Sequence, residues 1–477
     1  MQVLSVTSEL YPLIKTGGLA DVTGALPEAL AKHGVTTRTL VPGYPAVLQK
    51  LQQPQEVYRF NNLAGGSAVL RSGTAMGLDL FVLDAPHLFN RPGNPYLGAD
   101  GLDWPDNAQR FAAFSDVAAQ LARGSLGSYK ADILHGHDWQ AGLAAAHLRY
   151  GGGPKSVLTI HNIAFQGVFP PEIFRQLNLP AHAYALDGVE FYGNVSFLKS
   201  GITSASALTT VSPTYAQEIC TPAYGMGLEG LLQARRGQLS GIVNGIDDAV
   251  WNPATDSALA QTYDVKSLGQ RHKNKREVEK RFGLQTGAGL IHGIVSRLTW
   301  QKGLDIFATE IDAIVASGAR VAIVGTGDTA IENALKSAAL RHKGRVGLIT
   351  AYDEKLSHLI QGGCDTMLVP SRFEPCGLTQ LYALRYGCVP VVARTGGLAD
   401  TIIDANDAGL AAGVATGVQF SPVEGPSLLV ALAKAQRLFD QPKIWQSMQL
   451  RGMASDLSWS RSAAEYASLY KSLLKSA

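Results

Sequence analysis

The segment Ser296-Arg297-Leu298-Thr299-Trp300-Gln301-Lys302-Gly303-Leu304-Asp305 places an arginine and a lysine just after the apolar run Leu290 to Val295. Such a run reads as a strand, so both cations fall at a strand's C-terminal end, where open α/β sheets bind ligands. Arg clamps phosphate oxygens with two hydrogen bonds and Lys adds a compact charge, a combination suited to a diphosphate. A solvated pair on a helix face is the alternative. Farther on, Val369-Pro370-Ser371-Arg372-Phe373-Glu374-Pro375-Cys376-Gly377-Leu378-Thr379-Gln380 again runs from a strand towards a helix start. Glu374 can accept hydrogen bonds from sugar hydroxyls while Cys376 and Gly377 offer backbone donors. The alternative for Glu374 is a helix cap. Cys376 has no nearby His in sequence to activate it as a nucleophile.

Two further strand ends carry polar groups in the first half: Leu134-His135-Gly136-His137-Asp138-Trp139 and Thr159-Ile160-His161-Asn162-Ile163. The His-x-His spacing invites a metal, but no third ligand is evident and His135 reads as core-facing. The heptapeptide Lys15-Thr16-Gly17-Gly18-Leu19-Ala20-Asp21 recurs with one change as Arg394-Thr395-Gly396-Gly397-Leu398-Ala399-Asp400. Each copy follows a strand-like run and precedes a helix-like one. Paired glycines there permit close backbone approach, and helix N-terminal amides favour an anion. Gly325-Thr326-Gly327-Asp328 lacks the third glycine of a dinucleotide loop.

These residues need a scaffold that collects strand ends. In the first half, Val3 to Thr7, Thr39 to Val41, Leu78 to Leu83, Ile133 to His135, Val157 to Ile160 and Ala207 to Val211 alternate with helical stretches. That pattern predicts a parallel sheet covered on both faces. The turn-rich stretch Ser240 to Pro253 marks a boundary, and a second alternation follows: Leu290 to Val295, Arg320 to Val324, Val346 to Ile349, Thr366 to Val369 and Val389 to Ala393. At the C-terminus Trp459, Ala463, Tyr466, Tyr470 and Leu473 recur at helical spacing and predict a packing face.

With 477 residues, two domains are expected. Lys+Arg 41 against Asp+Glu 39 leaves a net charge of +2, which does not resemble the footprint of a nucleic-acid binder. No stretch reaches the roughly 20 apolar residues of a membrane helix, and no signal or transit peptide is read at Met1 to Val6. A cytoplasmic protein is expected. Cys220, Cys364, Cys376 and Cys388 form no Cys-x-x-Cys pair and read as reduced, mostly buried thiols.

Taken in order, these motifs resemble those of the bacterial glycogen synthase family, ADP-glucose-dependent glycogen and starch synthases that are retaining glucosyltransferases. The most specific pieces are Lys15 to Asp21, His137 to Gly142, Ser296 to Gly303, Ser371 to Leu381 and Arg394 to Asp400, and the likeness runs from Met1 to the last helix. It implies an α/β GT-B fold, two Rossmann-like doubly wound domains facing across a deep cleft. Residues 1–240 would form the first, 241–457 the second, and helix 458–477 would pack back on the first. The implied catalytic set is Arg297, Lys302, Glu374, His161 and Asp138, with Arg297 and Lys302 on the diphosphate. The implied donor-binding set is Lys15, Gly18, Asp21, Asn162, Asn244, Tyr352 (on the adenine), Cys376, Gly377, Leu378 and Thr379.

The resemblance implies ADP-glucose and an α-1,4-glucan primer as partners, with no cofactor, metal, nucleic acid or membrane. It also implies reaction on one face of the sugar, the carbonyl of His161 supporting positive charge. Many retaining GT-B enzymes carry a second glutamate eight positions after the first, where this chain has Tyr382; the ribose contact is the feature this touches. The plant enzymes' N-terminal extension is not expected. Two other readings of the same motifs are a GT-B sugar-nucleotide epimerase and a non-catalytic glucan-binding protein.

Overall fold

A computed structural model describes residues 1–351 and 353–475 in two compact units, one of Met1–Gly245 with the segment from Trp459 onward, the other of Ile246–Ser458. Strands of the first unit are β1 (Gln2–Val6), β2 (Thr36–Pro42), β3 (Gln52–Leu63), β4 (Gly66–Ala75), β5 (Leu78–Asp84), β6 (Ile133–His137), β7 (Lys155–Ile160), β8 (Val168–Phe169), β9 (Glu190–Phe191), β10 (Asn194–Ser196), β11 (Ala207–Thr210) and β12 (Leu239–Gly241). The main sheet runs β12-β11-β7-β6-β1-β2-β5-β4-β3, parallel from β12 through β5. Its central strands are apolar and buried because helices cover both faces.

The expected parallel sheet is extended at one edge, where β3 and β4 add an antiparallel hairpin. β3 hid from the sequence because it is polar and mostly exposed, with Pro54, Glu56 and Arg59 and three register shifts. Those are devices that keep an edge strand from pairing with other chains. A small antiparallel sheet, β8-β10-β9, was equally unannounced.

Order within the parallel part places the strands flanking the chain reversal, β1 and β6, side by side. A doubly wound sheet opens a crevice at that switch point, beyond the strand C-termini. Helix Gly18–Ala31 follows β1 and packs beside the C-terminal helix Trp459–Lys475. Trp459, Ala463, Tyr466 and Tyr470, at spacings of four, three and four, join Val3, Val22, Leu26, Leu30 and Ile133 in one buried cluster.

Strands of the second unit are β13 (Ile291–Val295), β14 (Arg320–Val324), β15 (Val346–Ile349), β16 (Thr366–Val369), β17 (Val389–Ala393) and β18 (Val418–Phe420). They form an all-parallel sheet in the order β15-β14-β13-β16-β17-β18. Its switch point lies between β13 and β16, pinned by His292 Nδ1 and Thr366 Oγ1 at 2.6 Å. Among the described residues no helix is long and apolar enough to cross a membrane.

Candidate active site

The loops leaving β13 and β16, the two switch-point strands of the second unit, carry the residues singled out first. They are stitched together by Arg372, which reaches from one loop to the other. Its backbone N–H donates to the Gln301 carbonyl at 2.9 Å, and its guanidinium donates to the Trp300 carbonyl at 2.6 Å and to both Asp305 oxygens at 2.6 and 2.7 Å. It also lies over the Trp300 ring at 4.4 Å. The bidentate bond holds the Asp305 carboxyl below its usual range.

Gly303 completes the junction. Its φ is +69°, and a Cβ there would stand 2.0 Å from the Pro370 carbonyl oxygen, so only glycine lets the chain pass. Gly303→Ala is therefore expected to cost about 2 kcal/mol or more and to lower the melting temperature measured by circular dichroism by at least about 4 °C.

This stitching brings Lys302 and Glu374 together although they are 72 positions apart: Lys302 Nζ donates to Glu374 Oε2 at 2.6 Å. Both side chains are largely buried, at 19% and 8% exposure. Ser371 Oγ donates to the same oxygen at 2.9 Å, and Oε1 keeps no partner among the described residues. Glu374 is not a helix cap, since the next helix starts at Thr379 with Leu378 as its N-cap. Arg297, exposed on the same loop as Lys302, makes one long contact, 3.4 Å to Gln301 Oε1. An exposed guanidinium on the same loop as a half-buried, paired ammonium leaves a cation able to meet an incoming anion.

The second heptapeptide holds this site from behind. Gly397 N–H donates to the carbonyls of Glu374 and Pro375, both at 3.1 Å, and a Cβ at Gly396 or Gly397 would fall 2.0 or 2.2 Å from the carbonyl oxygen of Glu374 or Cys376. At this copy the close approach that paired glycines permit is made by the chain's own backbone. Gln380 Nε2 secures the other side by donating to the carbonyls of Cys376 and Gly377, each at 2.9 Å. Cys376 is buried, Gly377 has φ +72°, and Leu378 and Thr379 are half-buried.

In the first unit the crevice strands β1, β6 and β7 present Glu9, Asp138 and His161. Asp138 sits at φ +57°, an uncommon backbone for a non-glycine residue and a form of strain met at functional sites. The Asp138 Oδ1 accepts the backbone N–H of His161 at 2.6 Å and of Asn162 at 3.4 Å. Burial raises its pKa from 3.8 to about 7, the two N–H bonds opposing and the Glu9 charge adding to the rise. Asn162 Oδ1 accepts from Ala164 N–H at 3.0 Å, fixing the turn after His161.

His137 Nδ1 and His161 Nε2 are 3.0 Å apart, a direct hydrogen bond, and among the described residues no group of three or more His, Cys, Asp or Glu side chains is placed to hold a metal ion. His135 faces the core, bonded to Tyr470 Oη at 2.7 Å and Thr159 Oγ1 at 2.6 Å. Asn244 is buried, and its Oδ1 has no hydrogen-bond partner among the described residues, the condition of a group that awaits a ligand or water.

The first heptapeptide behaves differently from the second. Lys15, Thr16, Gly17 and Gly18 are exposed, and nothing lies within 4 Å of a Cβ placed on Gly17. Two of the amides expected to attract a ligand anion are already taken, for the Glu9 carboxylate accepts Thr16 N–H and Gly17 N–H, the latter at 3.2 Å. Thr16 Oγ1 at 2.6 Å and Tyr96 Oη at 2.7 Å also donate to Glu9. Lys15 Nζ contacts Asp21 Oδ1 at 2.7 Å within its own motif.

Glu9, Tyr96, Ser371, Arg372 and Gln380 were missed as site residues by sequence reasoning. A buried carboxylate just ahead of a Gly-Gly turn was the one available signal for Glu9. Tyr352 lies outside the described residues. Cys364, Cys376 and Cys388 are buried and Cys220 is half-buried.

Comparison with known proteins adds an independent line. Residues 2–234 match the starch synthase catalytic domain family and residues 290–419 the glycosyl transferases group 1 family. The chain is 58% identical over 476 residues to a glycogen synthase of Mesorhizobium japonicum and 55% identical over 477 residues to one of Rhodopseudomonas palustris, each alignment covering 99% of both chains. The solved catalytic domain of starch synthase IV from Arabidopsis thaliana, bound to ADP and acarbose, superposes with a TM-score of 0.87 at 29% identity, covering 99% of each chain. Sucrose-phosphate synthase from Thermosynechococcus elongatus shares the fold at a TM-score of 0.62 and 15% identity over the full length of both. Two Rossmann-type sheets, the basic and acidic loops at their switch points and full-length identity above one half agree: the chain belongs to the bacterial glycogen synthase family, glycosyltransferases of GT-B fold.

Proposed function

We propose that the chain transfers glucose from ADP-glucose to the non-reducing 4-hydroxyl of an α-1,4-glucan with retention of configuration. The observation that carries this reading is the buried Lys302–Glu374 pair at the second switch point, with Arg297 exposed on the same loop. Family membership supports a nucleotide-sugar donor and a glucan acceptor. The Arabidopsis relative's bound ADP favours an adenine nucleotide.

Arg297 and Lys302 receive the diphosphate. As the anomeric C–O bond breaks, charge grows on that leaving group, and cations held in place stabilise it more in the transition state than before it. Glu374 orients Lys302 and offers Oε1 to a sugar hydroxyl, beside Cys376, Gly377, Leu378 and Thr379. Asp138, His161, Asn162 and Asn244 take the glucosyl unit, and Lys15, Gly18 and Asp21 the donor's phosphate side. The acceptor hydroxyl gives its proton to the departing phosphate oxygen while the carbonyl of His161 supports the sugar's positive charge. No cofactor or metal enters this scheme, and its expected setting is the cytoplasm.

Adding glycogen separates this reading from its rivals. With ADP-glucose alone the enzyme should leave the donor intact, and with glycogen it should release ADP and lengthen the polymer. Consumption of ADP-glucose without primer would instead fit an epimerase, and glycogen retention without ADP release a binding protein.

A further inference from the structure

Behind His161 lies a second buried polar chain that the proposed reaction leaves unused. Ser5 on β1 touches His137 Nε2 through Oγ at 3.2 Å, and His137 Nδ1 meets His161 Nε2 at 3.0 Å. All three side chains are buried, and burial drives both imidazoles towards the neutral form, His161 to about 3 and His137 well below its ordinary value. A neutral imidazole has one N–H and one lone pair, so each ring must donate at one nitrogen and accept at the other.

Only two polarities are open to such a chain. In one, Ser5 O–H donates to His137 Nε2, His137 Nδ1–H donates to His161 Nε2, and His161 carries its proton on Nδ1. In the other every bond reverses, and the Ser5 hydroxyl hydrogen is left with no acceptor among the described residues. A buried donor without an acceptor is the costlier arrangement.

We propose that Ser5 and His137 are positioning residues that fix His161 as its Nδ1–H tautomer, so that this ring donates a hydrogen bond to an oxygen of the bound glucosyl donor. His161 Nδ1 has no partner among the described residues, which leaves it for the substrate. The inference rests on the proposed glucosyl transfer for its consequence, but the tautomer itself can be read without turnover. Ser5 lines a cavity of about 10 Å³ together with Val3, Thr37, His135, His137 and Tyr470. That opening gives the added methyl of threonine somewhere to go.

The test is nitrogen-15 NMR of the full chain labelled at histidine, with the His161 signals assigned by their loss in His161→Gln, combined with kinetics of Ser5→Ala and Ser5→Thr. Wild-type protein should show His161 protonated at Nδ1. Ser5→Ala should mix or invert the tautomer and lower kcat about tenfold, with KM for the donor within about twofold, as loss of an outer partner commonly does. Ser5→Thr should restore both readouts. An Nε2–H tautomer in wild type, or an unchanged His161 spectrum in folded Ser5→Ala, would overturn the proposal. A correct tautomer in a protein without glucosyl transfer would instead sink the functional reading alone.

Discussion

Lys302→Ala is expected to lower kcat with ADP-glucose and glycogen by at least about a hundredfold, the loss of about 3 kcal/mol of transition-state stabilisation typical of one preorganised electrostatic contact. The same change leaves Glu374 buried without its cation. Breaking one side of a buried pair costs about 3 kcal/mol or more of stability, so the melting temperature should fall as well. Glu374→Gln in the Lys302→Ala background should recover part of that stability and none of the rate. The two readouts thereby separate the structural and chemical duties of the pair. Steady-state kinetics beside thermal melts check this, and near-normal turnover of Lys302→Ala would remove the diphosphate role.

The second large effect concerns Asp138. With a folded pKa near 7, this carboxyl is mostly protonated at pH 6 and mostly ionised at pH 8. The ionised form is the better acceptor for a sugar hydroxyl and the better neighbour for a cationic transition state. kcat/KM should therefore rise with pH through about 7. Asp138→Asn should flatten that limb and lower the rate about a hundredfold or more, as loss of one preorganised electrostatic contact does.

Stability runs the other way. Because the fold binds this proton more tightly than the unfolded chain does, the group's contribution is full below about 3.8 and is lost as pH rises through about 7. In urea melts the stability of Asp138→Asn relative to wild type should thus be more favourable at pH 8 than at pH 5, the other titrating groups being common to both proteins. A pH-rate profile of Asp138→Asn parallel to that of wild type would contradict this assignment.

Much of this arrangement could be read from residue order. Period and strand length announced the second unit's five named strands, and Arg297, Lys302 and Glu374 stood out because each follows a strand. What residue order withheld was partnership. That Lys302 and Glu374 share a hydrogen bond depends on Arg372 and Gly303 closing two loops, and nothing local in 302 or 374 encodes it. The two heptapeptides look alike yet differ in their surroundings, because Gly17 faces open space while Gly396 and Gly397 face the backbone of Glu374 to Cys376. The Ser5–His137–His161 chain was hidden because its members stand on or just after different strands of the sheet, and Glu9 because its carboxylate meets Thr16, Gly17 and Tyr96 from loops. The β3–β4 edge escaped because a strand exposed to water needs no apolar alternation.

The central claim is the transfer itself, and the most direct measurement follows the sugar. A maltooligosaccharide incubated with the enzyme and ADP-glucose carrying carbon-13 at C1 should yield label in α-1,4 linkage at the non-reducing end, with one ADP released per glucose and much slower incorporation from UDP-glucose. Label recovered as free glucose, as a β-linked residue or still wholly in ADP-glucose would contradict the account.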